Sequence, residues 1–130
     1  MASFLLGTDS PSTSYRVVSY AQPRITEEDT LYAVNSLPGG DGTSESDVAE
    51  GRAALDAVTE HIPAAEQHQL IRGNEPPEDL LEFAQTHDVD ELLLGITQRS
   101  PTGKLMFGST SQDVLLAADR PVVCVPLDSR

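Results

Sequence analysis

A chain of 130 residues holds a single cysteine, Cys124, and a single lysine, Lys104. One cysteine excludes an internal disulfide and suits a reducing compartment. Basic residues are scarce, 8 against 21 acidic, for a formal net charge of −13. A surface this negative repels a phosphate backbone and so opposes nonspecific nucleic-acid binding; anionic lipid is disfavoured for the same reason. No apolar run approaches the length of a membrane span. The opening MASFLLG is too short for a signal peptide and has no charged n-region, so the expected location is the cytoplasm. Many acids, almost no lysine and modest hydrophobicity resemble proteins of salt-loving organisms. Molar salt shortens the Debye length to about 3 Å and screens such self-repulsion.

Catalytic signatures are also missing. The phosphate-binding pattern G-x4-G-K-[ST] fails, because Gly103-Lys104 is followed by Leu105 and the earlier glycine position is Gln98. There is no G-x-S-x-G nucleophile elbow. His61, His68 and His87 are dispersed, without partners at metal-ligand spacing. His61 and His87 fall near expected helix C-termini, where an imidazole is mildly favoured. Cys124 lies in an apolar run and reads as an inert buried thiol. Glu27-Glu28-Asp29 and the acids of residues 75–79 read as solvated charge. No carboxylate pair suited to acid–base work stands out, so neither a catalytic residue nor a metal site is expected.

What is present is an alternation. Phe4-Leu5-Leu6-Gly7 reads as a strand ended by Thr8-Asp9-Ser10-Pro11, and Tyr15, Val18 and Ala21 then recur at helical spacing up to Pro23. Leu31-Tyr32-Ala33-Val34 is a second strand, followed by a loop over residues 39–47. Val48, Leu55, Val58 and Ile62 mark a second helix. Residues 67–72 form a weaker strand, and Pro76-Pro77 opens a helix with Leu80, Leu81, Phe83 and Ala84 on its inner side. Leu92-Leu93-Leu94-Gly95 is a fourth strand, residues 96–107 a long loop, and Thr110 with Asp113 an N-cap before Val114, Leu115 and Ala118. Pro121-Val122-Val123-Cys124-Val125 closes the chain as a continuous β-branched strand. Five strands alternating with helices predict one α/β domain, an open parallel sheet wound by right-handed crossovers and covered on both faces.

Such sheets take ligands beyond the carboxyl ends of their strands, where the winding reverses. Residues 10–26 and 92–112 contain no Asp or Glu, yet hold Arg16, Arg24, Arg99 and Lys104, four of the 8 basic residues. An anion meets least repulsion there. Gly95, Gly103 and Gly108 allow close backbone approach to phosphate oxygens. Ser109, Thr110 and Ser111 bring hydroxyls to a helix start. A glycine-rich turn followed by an N-cap accounts for the same residues without a ligand.

The chain resembles the universal stress protein family over residues 4–126. The family motif G-x2-G-x9-G-[ST] is met by Gly95, Gly108 and Ser109. Gly73-x-x-Pro76, Val89-Asp90 and the closing Pro121-Val122-Val123-Cys124-Val125 match its later units, and Thr8-Asp9-Ser10 matches its first aspartate turn. The acidic composition resembles that of a halophilic archaeal member, and an ordinary acidic protein accounts for it as well. The resemblance implies a Rossmann-like sheet in the order 3-2-1-4-5, a regulatory or protective role in stress rather than catalysis, and bound ATP with Mg or Mn. It implies that Asp9 contacts the adenosine and that the backbone at Val34 contacts adenine; the charges of Arg99 and Lys104 in this loop are expected to face phosphates. One position departs: the second motif glycine is Gln98, which weakens binding if that site needs positive φ. The alternative is a nucleotide-free interaction protein acting through dimerisation. In the implied order residues 121–126 form an edge strand with nothing to blunt it, and pairing with a second copy is the expected remedy.

Overall fold

The computed structural model describes residues 1–96 and 109–127. Five parallel strands, β1 (Ser3–Gly7), β2 (Thr30–Leu37), β3 (Glu66–Ile71), β4 (Glu91–Ile96) and β5 (Val122–Pro126), form one sheet in the order β3-β2-β1-β4-β5. Helices α1 (Pro11–Ala21), α2 (Glu45–His61), α3 (Pro76–Thr86) and α4 (Ser109–Ala117) alternate with them.

Alternation along the apolar strands divides the core. Leu6, Leu31, Ala33, Leu93 and Val125 face Val17, Val18, Leu55 and Val58 of α1 and α2. Leu5, Val34, Leu92 and Leu94 face Leu80, Phe83, Ala84 and Val114 of α3 and α4. Successive side chains of one strand thus enter opposite layers, and strands buried on both sides lose any polar alternation.

Several boundaries differ from the sequence reading. β2 runs three residues beyond Val34, to Leu37. Asn35 and Ser36 hide that extension, because they look like loop residues yet are buried. The loop expected through residue 47 ends at Ser44, which caps α2 in a reciprocal capping box with Asp47. Thr110 lies inside α4, which already begins at Ser109, and so is not its cap. Tyr15 is not on the inner side of α1. That face is Ser14, Val17, Val18 and Ala21, while Tyr15 is exposed, donates to Glu60 Oε1 at 3.2 Å and meets the edge of the His61 ring. Leu115 is likewise exposed, and only Val114 of the expected α4 stripe is buried.

Candidate functional site

Beyond the carboxyl ends of the strands, where β1 and β4 lie side by side and the winding reverses, is a cavity of about 430 Å³. Gly7, Val34 and Leu94 line it from the sheet, Thr8, Asp9 and Thr13 from the β1–α1 junction, and Ser36, Leu37 and Pro38 from the end of β2. Pro76 and Leu80 close it from α3, and Gly95, Thr110, Ser111 and Leu127 from the β4, α4 and β5 ends. One half is therefore apolar and the other carries hydroxyls and a carboxylate.

Thr8 is held from three directions. Its N–H donates to the Val34 carbonyl at 3.0 Å, and its carbonyl accepts from Asn35 Nδ2 at 2.9 Å. Its hydroxyl lies 2.7 Å from the Ser14 hydroxyl and 3.1 Å from the Ser10 carbonyl, and Ser14 Oγ in turn reaches the Ala54 carbonyl at 2.7 Å. Asn35 is fixed in turn: its Oδ1 accepts from Gln69 Nε2 at 3.1 Å, and the same nitrogen reaches the Val48 carbonyl at 3.0 Å. Gly51 of α2 makes room for this amide network, since a Cβ there would lie 2.0 Å from Asn35 Oδ1.

Ser10 caps α1 through Thr13 N, at 3.3 Å. Asp9, the residue before this cap, is exposed at the rim and accepts from Thr13 Oγ1 at 3.1 Å. Opposite, Ser111 Oγ donates to the Gly95 carbonyl at 3.2 Å. A side chain at Gly95 would have to displace Leu127, because a Cβ would lie 2.6 Å from Leu127 Cδ2 and 3.1 Å from Thr13 Cγ2. The first turns of α1 and α4 hold no acid, whereas α2 begins with Glu45 and Asp47. Anions are favoured at acid-free helix starts such as those of α1 and α4.

Behind the apolar half, Asp79 is fully buried, which corrects its reading as solvated charge. Ser36 Oγ donates to its Oδ2 at 2.6 Å; Arg72 Nη2 and Asn74 Nδ2 donate to its Oδ1 at 2.8 and 3.0 Å. Burial acts to raise its pKa, but these donors outweigh burial and hold the carboxyl below its ordinary range. Arg72 also bonds Glu82 at 2.8 Å.

Of the residues expected at the site, Thr8, Asp9, Val34, Gly95, Thr110 and Ser111 line this one cavity, with Ser10 just outside it as a cap. Val34 is not a strand end, and its carbonyl is already taken by Thr8. Gln98, Arg99, Gly103, Lys104 and Gly108 lie outside the described residues, and Ser109 opens α4. The sequence reading missed Thr13, Asn35, Ser36, Asp79 and Leu127. Only Asn35-Ser36, polar residues interrupting an apolar run, left a signal.

The remaining chemistry-bearing residues lie elsewhere. His61 and His87 direct Nδ1 at the carbonyls of Ala57 and Phe83, one turn back. His68 packs edge-on to Phe83, on which His87 stacks at 3.8 Å between centroids. Burial pushes the Cys124 thiol up. Among the described residues no group of three or more His, Cys, Asp or Glu could hold a metal ion, and no helix is long and apolar enough to cross a membrane.

The profile of the universal stress protein family matches residues 1–126. A universal stress protein of Mycolicibacterium smegmatis is 40% identical over 53 residues, and that match spans 41% of each chain. The universal stress protein of Archaeoglobus fulgidus superposes with a TM-score of 0.80 at 35% identity, over 96% of this chain and 98% of that one. An Archaeoglobus fulgidus universal stress protein structure in complex with dAMP superposes with a TM-score of 0.73 at 30% identity, over the same shares.

Proposed function

The chain belongs to the universal stress protein family, and we propose that it binds an adenine nucleotide, ATP with Mg or Mn, as a non-catalytic regulatory or protective protein of the cytoplasm. The observation that carries this reading is the two-sided cavity. Leu37, Pro38, Pro76 and Leu80 offer an apolar wall for a base, while Thr8, Asp9, Thr110 and Ser111 stand with the acid-free starts of α1 and α4. Phosphates fit the second half, where the helix ends supply a favourable field. Asp9 at the rim is a carboxylate suited to a ribose hydroxyl. The dAMP held by the Archaeoglobus fulgidus protein supports the same ligand class.

Calorimetric titration with Mg-ATP and with AMP, at high salt because of the charge of −13, is expected to show one site per chain with a dissociation constant below about 1 mM. No heat at millimolar nucleotide would replace this reading with a nucleotide-free interaction protein, the alternative that Gln98 favours.

Dimerisation belongs to either reading. β5 is an edge strand whose Val122, Val123 and Cys124 are only half-buried in the single chain. Antiparallel pairing with a second copy would join two sheets and bring the Val123 side chains close to the two-fold axis. Light scattering should give a dimer at micromolar concentration and a monomer for Val123→Asp, where like charges would face each other. An unchanged dimer for that variant rejects β5 as the interface.

A further inference from the structure

We propose that Ser36 selects the base, its hydroxyl acting only as an acceptor for the exocyclic 6-amino group of a purine. The inference rests on the nucleotide-binding reading above and adds the residue that tells one base from another.

A serine hydroxyl has one proton and two lone pairs, and in an open pocket it turns to suit whatever it meets. Ser36 is not free to turn. Its proton is committed to Asp79 Oδ2 at 2.6 Å, a short charge-assisted bond. Asp79 cannot return a proton, because Arg72 and Asn74 hold its other oxygen and keep the group ionised. Asp79 itself does not line the cavity, whereas Ser36 does. The buried charge is thus converted, one bond away, into a neutral group of fixed polarity. Among the described residues no donor reaches Ser36 Oγ, so its lone pairs remain for a ligand.

The surroundings place a base rather than a phosphate here. Leu37, Pro38, Pro76 and Leu80 line the same half, and the first turn of α3 carries Glu78 and Asp79, which repel anions. A 6-amino purine presents an N–H donor to Ser36. A 6-oxo purine presents a second acceptor, and two buried acceptors face to face leave both unpaired.

A double cycle tests this by deleting the amine on the ligand and the hydroxyl on the protein. AMP and purine riboside 5′-monophosphate, which lacks only the 6-amino group, are titrated into wild type and into Ser36→Ala. Wild type should bind AMP roughly tenfold more tightly than the amine-free ligand, and Ser36→Ala should bind the two within about threefold. Equal binding of the two ligands by wild type overturns the inference and leaves the nucleotide-binding reading standing. The same tenfold preference persisting in Ser36→Ala also overturns it. Failure of both ligands to bind wild type removes the nucleotide-binding reading as well. Equal binding by wild type needs no variant, so that outcome overturns the inference even if Ser36→Ala does not fold.

Discussion

Replacing Gly51 with alanine is expected to destabilise the protein by about 2–4 kcal/mol, against the usual direction of that substitution in a helix. In an exposed helix interior alanine is better than glycine by about 1 kcal/mol. Here the new methyl would sit 2.0 Å from Asn35 Oδ1, 2.6 Å from its Cγ and 2.8 Å from Gln69 Nε2. None of these atoms is the loose end of a side chain. Asn35 is buried and bonded on both sides, to Thr8 and to Gln69. Displacing it overpacks the α2–sheet contact and strands the Thr8 carbonyl in a buried place, and each of those costs roughly 1–3 kcal/mol. Urea denaturation followed by circular dichroism measures the difference. Adding Asn35→Ala to Gly51→Ala should restore part of the loss, because the two shortest contacts are then gone. A Gly51→Ala protein as stable as wild type would mean that the amide network is not rigid. Since that network holds Thr8, the variant should also bind nucleotide more weakly.

Asp79→Ala is expected to cost about 2–4 kcal/mol as well, through a different route. The substitution removes an acceptor that three donors share, leaving the Ser36 hydroxyl without its acceptor and opening a void under α3. Arg72 is half-exposed and keeps Glu82, so its own loss should matter less. The pH dependence follows from the lowered pKa of the folded state. Stabilisation by Asp79 is fully present above the ordinary carboxylate value of about 4, and is lost as pH falls through the lower folded value. The stability gap between wild type and Asp79→Asn should therefore be widest near neutral pH and narrow in strong acid. A gap that stays constant down to about pH 2 would show that the negative charge contributes nothing.

Element order was readable because burial on both faces forces continuous apolar runs such as Leu92-Leu93-Leu94, and turn residues such as Pro38-Gly39-Gly40 separate them. The cavity's place followed from the winding of the sheet; Gly95, Thr110 and Ser111 stood out at a strand end and a helix start, while Thr8 and Asp9 were marked by the family resemblance. The polar residues inside the fold were not readable. Asp79 stands among Glu75, Glu78 and Glu82 and looks like one more surface acid. Its burial depends on Ser36 and Arg72, which only the folded chain brings to it. Gly51 looks like a poor helix residue until Asn35 is seen beneath it. Tyr15 and Leu115 misled in the opposite sense. Apolar character suggested burial, while helix geometry turned each away from the sheet.

β1, made before the other four strands, ends up at the centre of the sheet. Its partners on one side are in β2, but on the other side they are residues 91–93, with Leu5 beside Leu92 and Leu6 beside Leu93. Translation runs at about 5–20 residues per second, so β1, β2 and β3 leave the ribosome one to several seconds before β4. Through that interval a growing chain can already pair β3, β2 and β1, but the free side of β1 then offers unpaired amides and carbonyls beside two of the most apolar side chains of the core. Contacts this distant in sequence form slowly. The nascent chain is thus most vulnerable to intermolecular strand pairing just before Glu91 appears, and truncation upstream of that residue converts a protected central strand into an adhesive edge.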